Sequence, residues 1–284
     1  MRWCWERAAR RLGLQVLTVT LPPAPAAPDE IVDSVCSAMT LQTKLLYFSH
    51  VLYSTGAILP ARQICAEAQA RSIMTIVDGA QAIGFLDLEL DQLNCDVYAG
   101  SCHKWLLAPM GTGFLYFGRE SLLRLEPLHL SWGYETPSGE PYLHLRNDFG
   151  STPALRRLEC EGTGDLCSWL AVPSALEIHR RFGTDACAAR MRTLTIKTRE
   201  EIQDLGLKIA TPPASDLSGQ IVSFQWPTDT AAAILRQRFW EWFRIAVAVI
   251  ESGDSQLIRL SLHFFNDVSD VHHLRESVRT LLSR

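Results

Sequence analysis

The sequence predicts an α/β protein, with a mostly parallel sheet in a large first domain (residues 1–180) and a smaller C-terminal α+β domain (residues 181–284). In the first half, short apolar segments alternate with helical segments of about ten residues, which is typical of parallel strands covered by helices. The second half instead predicts the order strand, helix, strand, strand, helix. A composition of 47% apolar and 20% charged residues excludes a disordered or collagen-like chain.

Apolar runs and the residues that end them define the elements of the first domain. We expect strands at 14–20, 44–48, 73–77, 96–99 and 113–117, and helices at 3–12, 29–39 and 60–71. Asp29 is a candidate N-cap, and Pro60 suits the first turn of its helix. The stretch 125–160, rich in Gly, Pro and aromatic residues, is predicted to be irregular.

Helical periodicity returns in the last third of the chain. We expect helices at 165–181 and 185–205, then a turn at Pro212–Pro213. Beyond the turn, the pattern predicts strands at 220–225, 245–249 and 257–261, with helices at 231–242 and 267–282.

Charge and cysteine content exclude several classes of protein. A formal net charge of −4 gives no basic surface for nucleic acid, and no apolar run approaches the roughly 20 residues that span a bilayer. The eight cysteines form no C-x-x-C pair, which argues against a zinc site and favours reduced thiols in the cytoplasm. An Arg-rich start before residues 12–21 resembles a secretion signal in outline, but polar residues interrupt its apolar part.

The residues suited to catalysis follow the ends of two predicted strands. Asp78 ends one strand, and Ser101, His103 and Lys104 follow the next, where open α/β sheets bind ligands. A lysine among apolar and aromatic neighbours has a lowered pKa and can act as a Schiff-base nucleophile. A carboxylate, a lysine and small hydroxyl donors are the groups that a pyridoxal-phosphate site needs.

Three motifs in this order resemble the cofactor region of the class V aminotransferases, which are pyridoxal-phosphate enzymes of fold type I. They are Asp78-Gly-Ala-Gln81, Ser101-x-His103-Lys104 and Pro109-x-Gly-x-Gly-Phe-Leu-Tyr116. Further matches extend the resemblance over nearly the whole chain: Phe48-Ser-His-Val51 with Ser54-Thr-Gly56, Glu161-Gly-Thr163, and Ile258-Arg-Leu-Ser261. Each residue alone has an ordinary structural explanation, and only the joint pattern favours a functional one.

The resemblance implies pyridoxal 5'-phosphate as cofactor and assigns the catalytic groups. Lys104 would form the internal aldimine and move the proton at the substrate α-carbon. Asp78 would pair with the pyridine nitrogen and stabilise a quinonoid. Gln81 would hydrogen-bond the phenolic oxygen, and His50 would stack on the ring.

The resemblance also implies the groups that bind the phosphate and the substrate. Ser101 and His103 would bind the phosphate together with Thr163 from a second subunit, so a homodimer with a shared site is implied. Arg259 would bind the substrate carboxylate, a task suited to the guanidinium fork. A further expectation is that His129, Trp132 and Tyr134 lie in a loop near the substrate, whereas Cys102 is a packing residue.

Two departures from other members of the family indicate which branch of it the chain resembles. No cysteine lies between residues 246 and 258, where cysteine desulfurases have their nucleophile, and Gln81 stands where kynureninases have histidine. The chain is most similar to the isopenicillin N epimerase branch, which implies epimerisation of an amino-acid-type substrate. Two alternative activities within the same family are an aminotransferase and a C–S or β-elimination lyase. A third alternative is a non-catalytic fragment, because the chain resembles an N-terminally truncated member that lacks the family's N-terminal phosphate-binding helix. A nucleotide-binding dehydrogenase is disfavoured because no G-x-G-x-x-G follows an early strand.

Overall fold

The computed structural model describes residues 2–22, 25–118, 121–122, 125–130, 155, 158–159, 162–227, 230–252 and 255–283. The helices lie, in chain order, at α1 (Arg2–Leu12), α2 (Pro28–Ala38), α3 (Ala61–Ala70), α4 (Leu90–Leu93), α5 (Cys167–Leu170), α6 (Val172–Phe182), α7 (Thr184–Asp204), α8 (Ala232–Phe243) and α9 (Val268–Leu282). The strands are β1 (Leu45–Ser49), β2 (Met74–Asp78), β3 (Val97–Ser101), β4 (Gly113–Phe117), β5 (Ile221–Trp226), β6 (Ala248–Ser252) and β7 (Ser255–Ser261). Within this part of the chain, no helix is both long and apolar enough to cross a membrane.

The first sheet has the strand order β1-β2-β3-β4. Strands β1, β2 and β3 are parallel, and β4 pairs antiparallel with β3. The carboxyl ends of the three parallel strands therefore lie at one edge, where Ser49 pairs with Asp78. The expected mostly parallel α/β sheet is confirmed.

The second sheet has the order β5-β7-β6 and is entirely antiparallel. Its core contains Phe224, Leu235, Phe239, Ile258 and Val278, each at most 1% exposed. Helices α8 and α9 contribute to this core, which confirms the predicted α+β character of the C-terminal part. The domain boundary at residue 180 stays a prediction.

Three local expectations were wrong. Residues 14–20 form no strand, and Leu14 and Leu17 are 58% and 70% exposed, because no described segment pairs with them. Asp29 lies inside the first turn of α2 and is not its N-cap, since Ala27 occupies that position and Pro28 begins the helix. The predicted helix at 165–181 is divided at Ala171 into α5 and α6.

The two sheets meet through a loop that follows β1. Ser223 of β5 donates a hydrogen bond from Oγ to the backbone oxygen of Ser54 at 2.6 Å. Buried side chains from both parts pack together here, among them Val51, Trp105 and Ile221. The sheet that contains Asp78 and the sheet that contains Arg259 are therefore joined beside the candidate site.

Gly56 allows this close approach, and we expect Gly56→Ala to destabilise the protein by about 2–4 kcal/mol. Its φ is +73°, and an added Cβ would lie 2.7 Å from the backbone oxygen of Ile221. Gly206 has a similar φ of +77° but open space around it, so Gly206→Ala isolates the backbone contribution. Denaturant unfolding of both variants checks the expectation, and equal losses of stability would contradict the role of the contact.

Candidate active site

Asp78 lies at the carboxyl end of β2, and its carboxylate is oriented by two donors. The Tyr47 hydroxyl donates to Oδ2 at 2.8 Å, and the Ala80 backbone N–H donates to Oδ1 at 3.0 Å. Tyr47 pairs with Ile76, so the alternation of side chains places it on the same sheet face as Asp78. Burial, followed by the hydrogen bond to Asp78, raises the pKa of Tyr47, which keeps this donor protonated.

His50 follows β1 directly and is buried next to the end of β2. Its backbone N–H donates to the Asp78 backbone oxygen at 2.8 Å, and its Nδ1 lies 2.9 Å from the Tyr98 hydroxyl. Tyr98 in turn packs so closely on Gly79 that a Cβ there would lie 2.0 Å from the ring. Glycine at position 79 is therefore required for Tyr98 to reach His50.

Burial lowers the pKa of His50 to about 4 from its ordinary value of 6.5. Because the unfolded chain binds a proton first, His50 stabilises the fold above pH 6.5, and this contribution is lost as the pH falls towards 4. The loss amounts to about 3 kcal/mol. Denaturant unfolding of the cofactor-free protein should show a steeper decline across this range for wild type than for His50→Asn. Parallel pH profiles would contradict the assignment.

Lys104 lies in a compact loop between β3 and β4. Cys102 donates its backbone N–H to the Thr112 oxygen at 3.0 Å, and Leu107 donates to the Lys104 oxygen at 3.1 Å. Gly84 approaches this loop, because a Cβ on it would lie 2.5 Å from the Leu106 nitrogen. The loop is thus bounded by its own hydrogen bonds and by the segment that follows Asp78.

Asp78 and Arg259 both act electrostatically on the half-buried Lys104. Burial lowers the pKa of its ammonium, Asp78 acts in the opposite direction, and Arg259 lowers the pKa further. The Lys104 amine therefore becomes neutral more readily than a solvated lysine, and a neutral amine is the form that attacks carbonyl carbon or accepts a proton.

Arg259 reaches the site from the central strand of the second sheet. Its Nη1 donates to the Tyr53 backbone oxygen at 3.2 Å, whereas its buried Nε has no hydrogen-bond partner among the described residues. Burial lowers the pKa of the guanidinium, which remains cationic at neutral pH. A half-buried guanidinium with an unused donor is suited to bind a carboxylate.

Ser101 and His103 lie at the carboxyl end of strand β3, next to Lys104 in the chain. Ser101 ends β3 opposite Gly113 and is half-buried. The His103 Nδ1 lies 3.0 Å from the Thr112 backbone oxygen, and because a carbonyl only accepts, Nδ1 has the hydrogen. The other ring nitrogen, Nε2, can donate to an anion only in the imidazolium form.

Gln81 lies after β2, and its Oε1 accepts a hydrogen bond from Trp105 Nε1 at 3.0 Å. Thr163 is exposed, and no described contact joins it to the other predicted residues. His129 is also exposed, and Trp132 and Tyr134 lie outside the described residues. The buried Cys102 agrees with its expected packing role.

Three further residues contact predicted site residues and were not expected from the sequence: Tyr47, Tyr98 and Trp105. The alternation of β1 and β2 side chains could have indicated Tyr47 once the parallel register was assumed. Trp105 is next to Lys104 in the chain, but its partner Gln81 lies in another loop, so no local signature in the sequence indicates that the two side chains pair.

Comparison with known proteins identifies the family of this chain. The sequence model of the family "Aminotransferase class-V" matches residues 1–274. The chain belongs to the class V aminotransferase family. The expected family is thereby confirmed, together with fold type I and pyridoxal phosphate as the cofactor of this enzyme class.

Two curated relatives match almost the whole chain. The isopenicillin N epimerase of Amycolatopsis lactamdurans is 50% identical over 283 residues, which cover 99% of this chain and 71% of the relative. The isopenicillin N epimerase of Streptomyces clavuligerus is 48% identical, with the same coverage. A cysteine desulfurase structure from Thermococcus onnurineus NA1 has a TM-score of 0.81 at 20% identity, covers 98% of this chain and 69% of that one, and shows the fold alone.

Proposed function

We propose that this class V enzyme inverts the α-carbon of an amino-acid-derived substrate of the isopenicillin N type. The observation that supports it most directly is the placement of Asp78 at the end of β2 and of Lys104 after the neighbouring strand β3, with Arg259 hydrogen-bonded to the loop that follows β1. These three residues provide a ring partner, a base and a carboxylate anchor. Identity near 50% to two isopenicillin N epimerases supports the substrate class.

The site residues fit pyridoxal phosphate by their donor chemistry. We assign Lys104 as the residue that attaches the cofactor, Asp78 as the partner of the pyridine nitrogen, and His50 as the ring that stacks on it. Ser101 and His103 would bind the phosphate together with Thr163 from a second subunit, while Gln81 would donate to the phenolic oxygen. When bound, the cofactor withdraws electrons from the substrate α-carbon and so acidifies its proton.

Three side chains of this protein have separate roles in the reaction. The Asp78 carboxylate, oriented by Tyr47, keeps a proton on the ring nitrogen, because an anion at this point favours the cationic ring. The Lys104 amine removes the α-carbon proton, since its lowered pKa brings it closer to the operating pH. The Arg259 guanidinium, whose Nε has no hydrogen-bond partner among the described residues, binds the substrate carboxylate and so fixes which bond faces Lys104.

A homodimer that shares its site follows from the same proposal. Thr163 is exposed, and the segment after it, which includes helices α5 and α6, presents Leu166, Trp169, Leu170 and Leu176 to solvent at 43–77% exposure. Such a patch is typical of an interface. Light scattering should give twice the chain mass, and Leu170→Glu should lower both the mass and cofactor affinity. A wild-type monomer that binds cofactor tightly would contradict the shared site.

We also place the protein in the cytoplasm. The described cysteines are free, including the exposed Cys4 and Cys167. Exposed free thiols persist in a reducing compartment.

Exchange in deuterated water tests the reaction type. The purified protein with pyridoxal phosphate should incorporate deuterium at the α-carbon of isopenicillin N while the opposite epimer accumulates, followed by mass spectrometry and chiral chromatography. Lys104→Ala serves as the blank. A keto product would indicate transamination, a lost side-chain fragment would indicate elimination, and either without the epimer would contradict epimerisation.

A further inference from the structure

The hydrogen bond between Trp105 and Gln81 defines the orientation of an amide inside the candidate site. Trp105 Nε1 lies 3.0 Å from Gln81 Oε1. An indole N–H can only donate, so the amide atom that faces it must be the oxygen. Gln81 is left with its Nε2, which has two hydrogens and no accepting capacity, as the end available to a ligand.

Packing fixes Trp105 so that its N–H cannot turn away from Gln81. The indole is 4% exposed, lies edge-on to Phe85 at 5.2 Å, and stacks on His263 at 5.7 Å. His263 Nε2 also lies 3.0 Å from the Trp105 backbone oxygen. Its Nδ1 accepts from the Phe264 backbone N–H, so the hydrogen is on Nε2 and is donated to Trp105.

We propose that Trp105 is a positioning residue that makes Gln81 present a donor, rather than an acceptor, to the phenolic oxygen of the cofactor. This inference rests on the proposed function of the site. A free glutamine amide can turn its two ends with little energetic preference. If Gln81 turned, its carbonyl oxygen would face an oxygen that has negative charge, and the two acceptors would repel one another.

The orientation has a measurable consequence for the bound cofactor. A donor beside the phenolic oxygen stabilises its deprotonated form, and losing that donor favours the protonated form. The pH midpoint of the cofactor's absorbance change therefore rises when Gln81 no longer donates. One hydrogen bond corresponds to a shift of about 0.5–1 unit.

Three variants separate positioning from packing. Trp105→Phe removes the N–H and keeps an aromatic ring against His263, Gln81→Leu removes the amide, and the third variant combines both changes. Absorbance titrations of the cofactor-loaded proteins should show midpoints raised by Trp105→Phe and by Gln81→Leu. The double variant should match Gln81→Leu, because Trp105 acts through the amide, whereas additive shifts would overturn the proposal.

A second measurement uses the cofactor-free protein and does not depend on the proposed function. In ¹⁵N-labelled protein, the indole N–H resonance missing from Trp105→Phe is that of Trp105, and it should move upfield in Gln81→Leu but stay near its wild-type position in Gln81→Glu, which keeps an acceptor. An unmoved resonance in Gln81→Leu would overturn the hydrogen bond and with it the proposal.

A failure of the proposed function and a failure of the positioning role of Trp105 give different results. If the wild type shows no bound-cofactor absorbance although the indole resonance responds to Gln81→Leu, the assignment of the site is wrong and the orientation of Gln81 still stands. If the wild type binds cofactor and Trp105→Phe titrates with the wild-type midpoint, the site stands and the positioning role is overturned.

Discussion

Lys104→Ala should lower the rate of α-carbon proton exchange by at least about 10³-fold, because the variant lacks both the attachment point and the base. The half-buried Lys104 lies within the electrostatic influence of Asp78 and Arg259. Exchange of the substrate α-proton in deuterated water measures the loss directly.

The control for Lys104 is an exposed lysine outside the site. Lys208→Ala should keep wild-type exchange, since Lys208 is exposed beyond helix α7. Thermal unfolding of both variants shows whether the fold is retained. A Lys104→Ala protein that is folded and retains more than a tenth of wild-type exchange would contradict the catalytic role.

Asp78→Asn should lower the exchange rate by about 10²–10³-fold, because the neutral amide no longer favours a cationic ring nitrogen. The substitution is nearly isosteric, so the amide oxygen of the variant can still accept a hydrogen bond from Tyr47 or Ala80.

Tyr47→Phe should lower the exchange rate by less than Asp78→Asn does, because it removes the hydrogen bond to one oxygen of Asp78 but leaves the charge.

The control for Asp78 is Asp204→Asn at the exposed end of helix α7. Steady-state kinetics on a substrate that exchanges its α-proton should assign the Asp78→Asn defect to kcat rather than to KM, since the charge acts on the reacting ring. A defect confined to KM, or one equalled by Asp204→Asn, would contradict the role of Asp78.

Much of the fold could be predicted because local patterns agree with tertiary structure. Strand β4 matches its predicted bounds, and the other strands with predicted counterparts differ by at most three residues at each end. The prediction failed at residues 14–20, where apolar alternation favours a strand but no described segment pairs with it. Pairing is a tertiary property that alternation alone does not contain.

The site was predictable to the extent that its residues form short motifs in the chain. Asp78 and Lys104 each end or follow a strand, so their placement at one sheet edge follows from parallel topology. The contacts that orient them join residues far apart in sequence, as Tyr47 with Asp78 and Trp105 with Gln81 do. Such pairs depend on register and packing, which the motifs do not encode.

Borohydride reduction of the protein loaded with pyridoxal phosphate tests the central assignment most directly. Proteolysis and mass spectrometry should place a pyridoxyl group on the peptide that contains Lys104, while Lys104→Ala should give no such label. A label on any other lysine, or a wild-type protein that takes up no cofactor, would contradict Lys104 as the residue that attaches the cofactor.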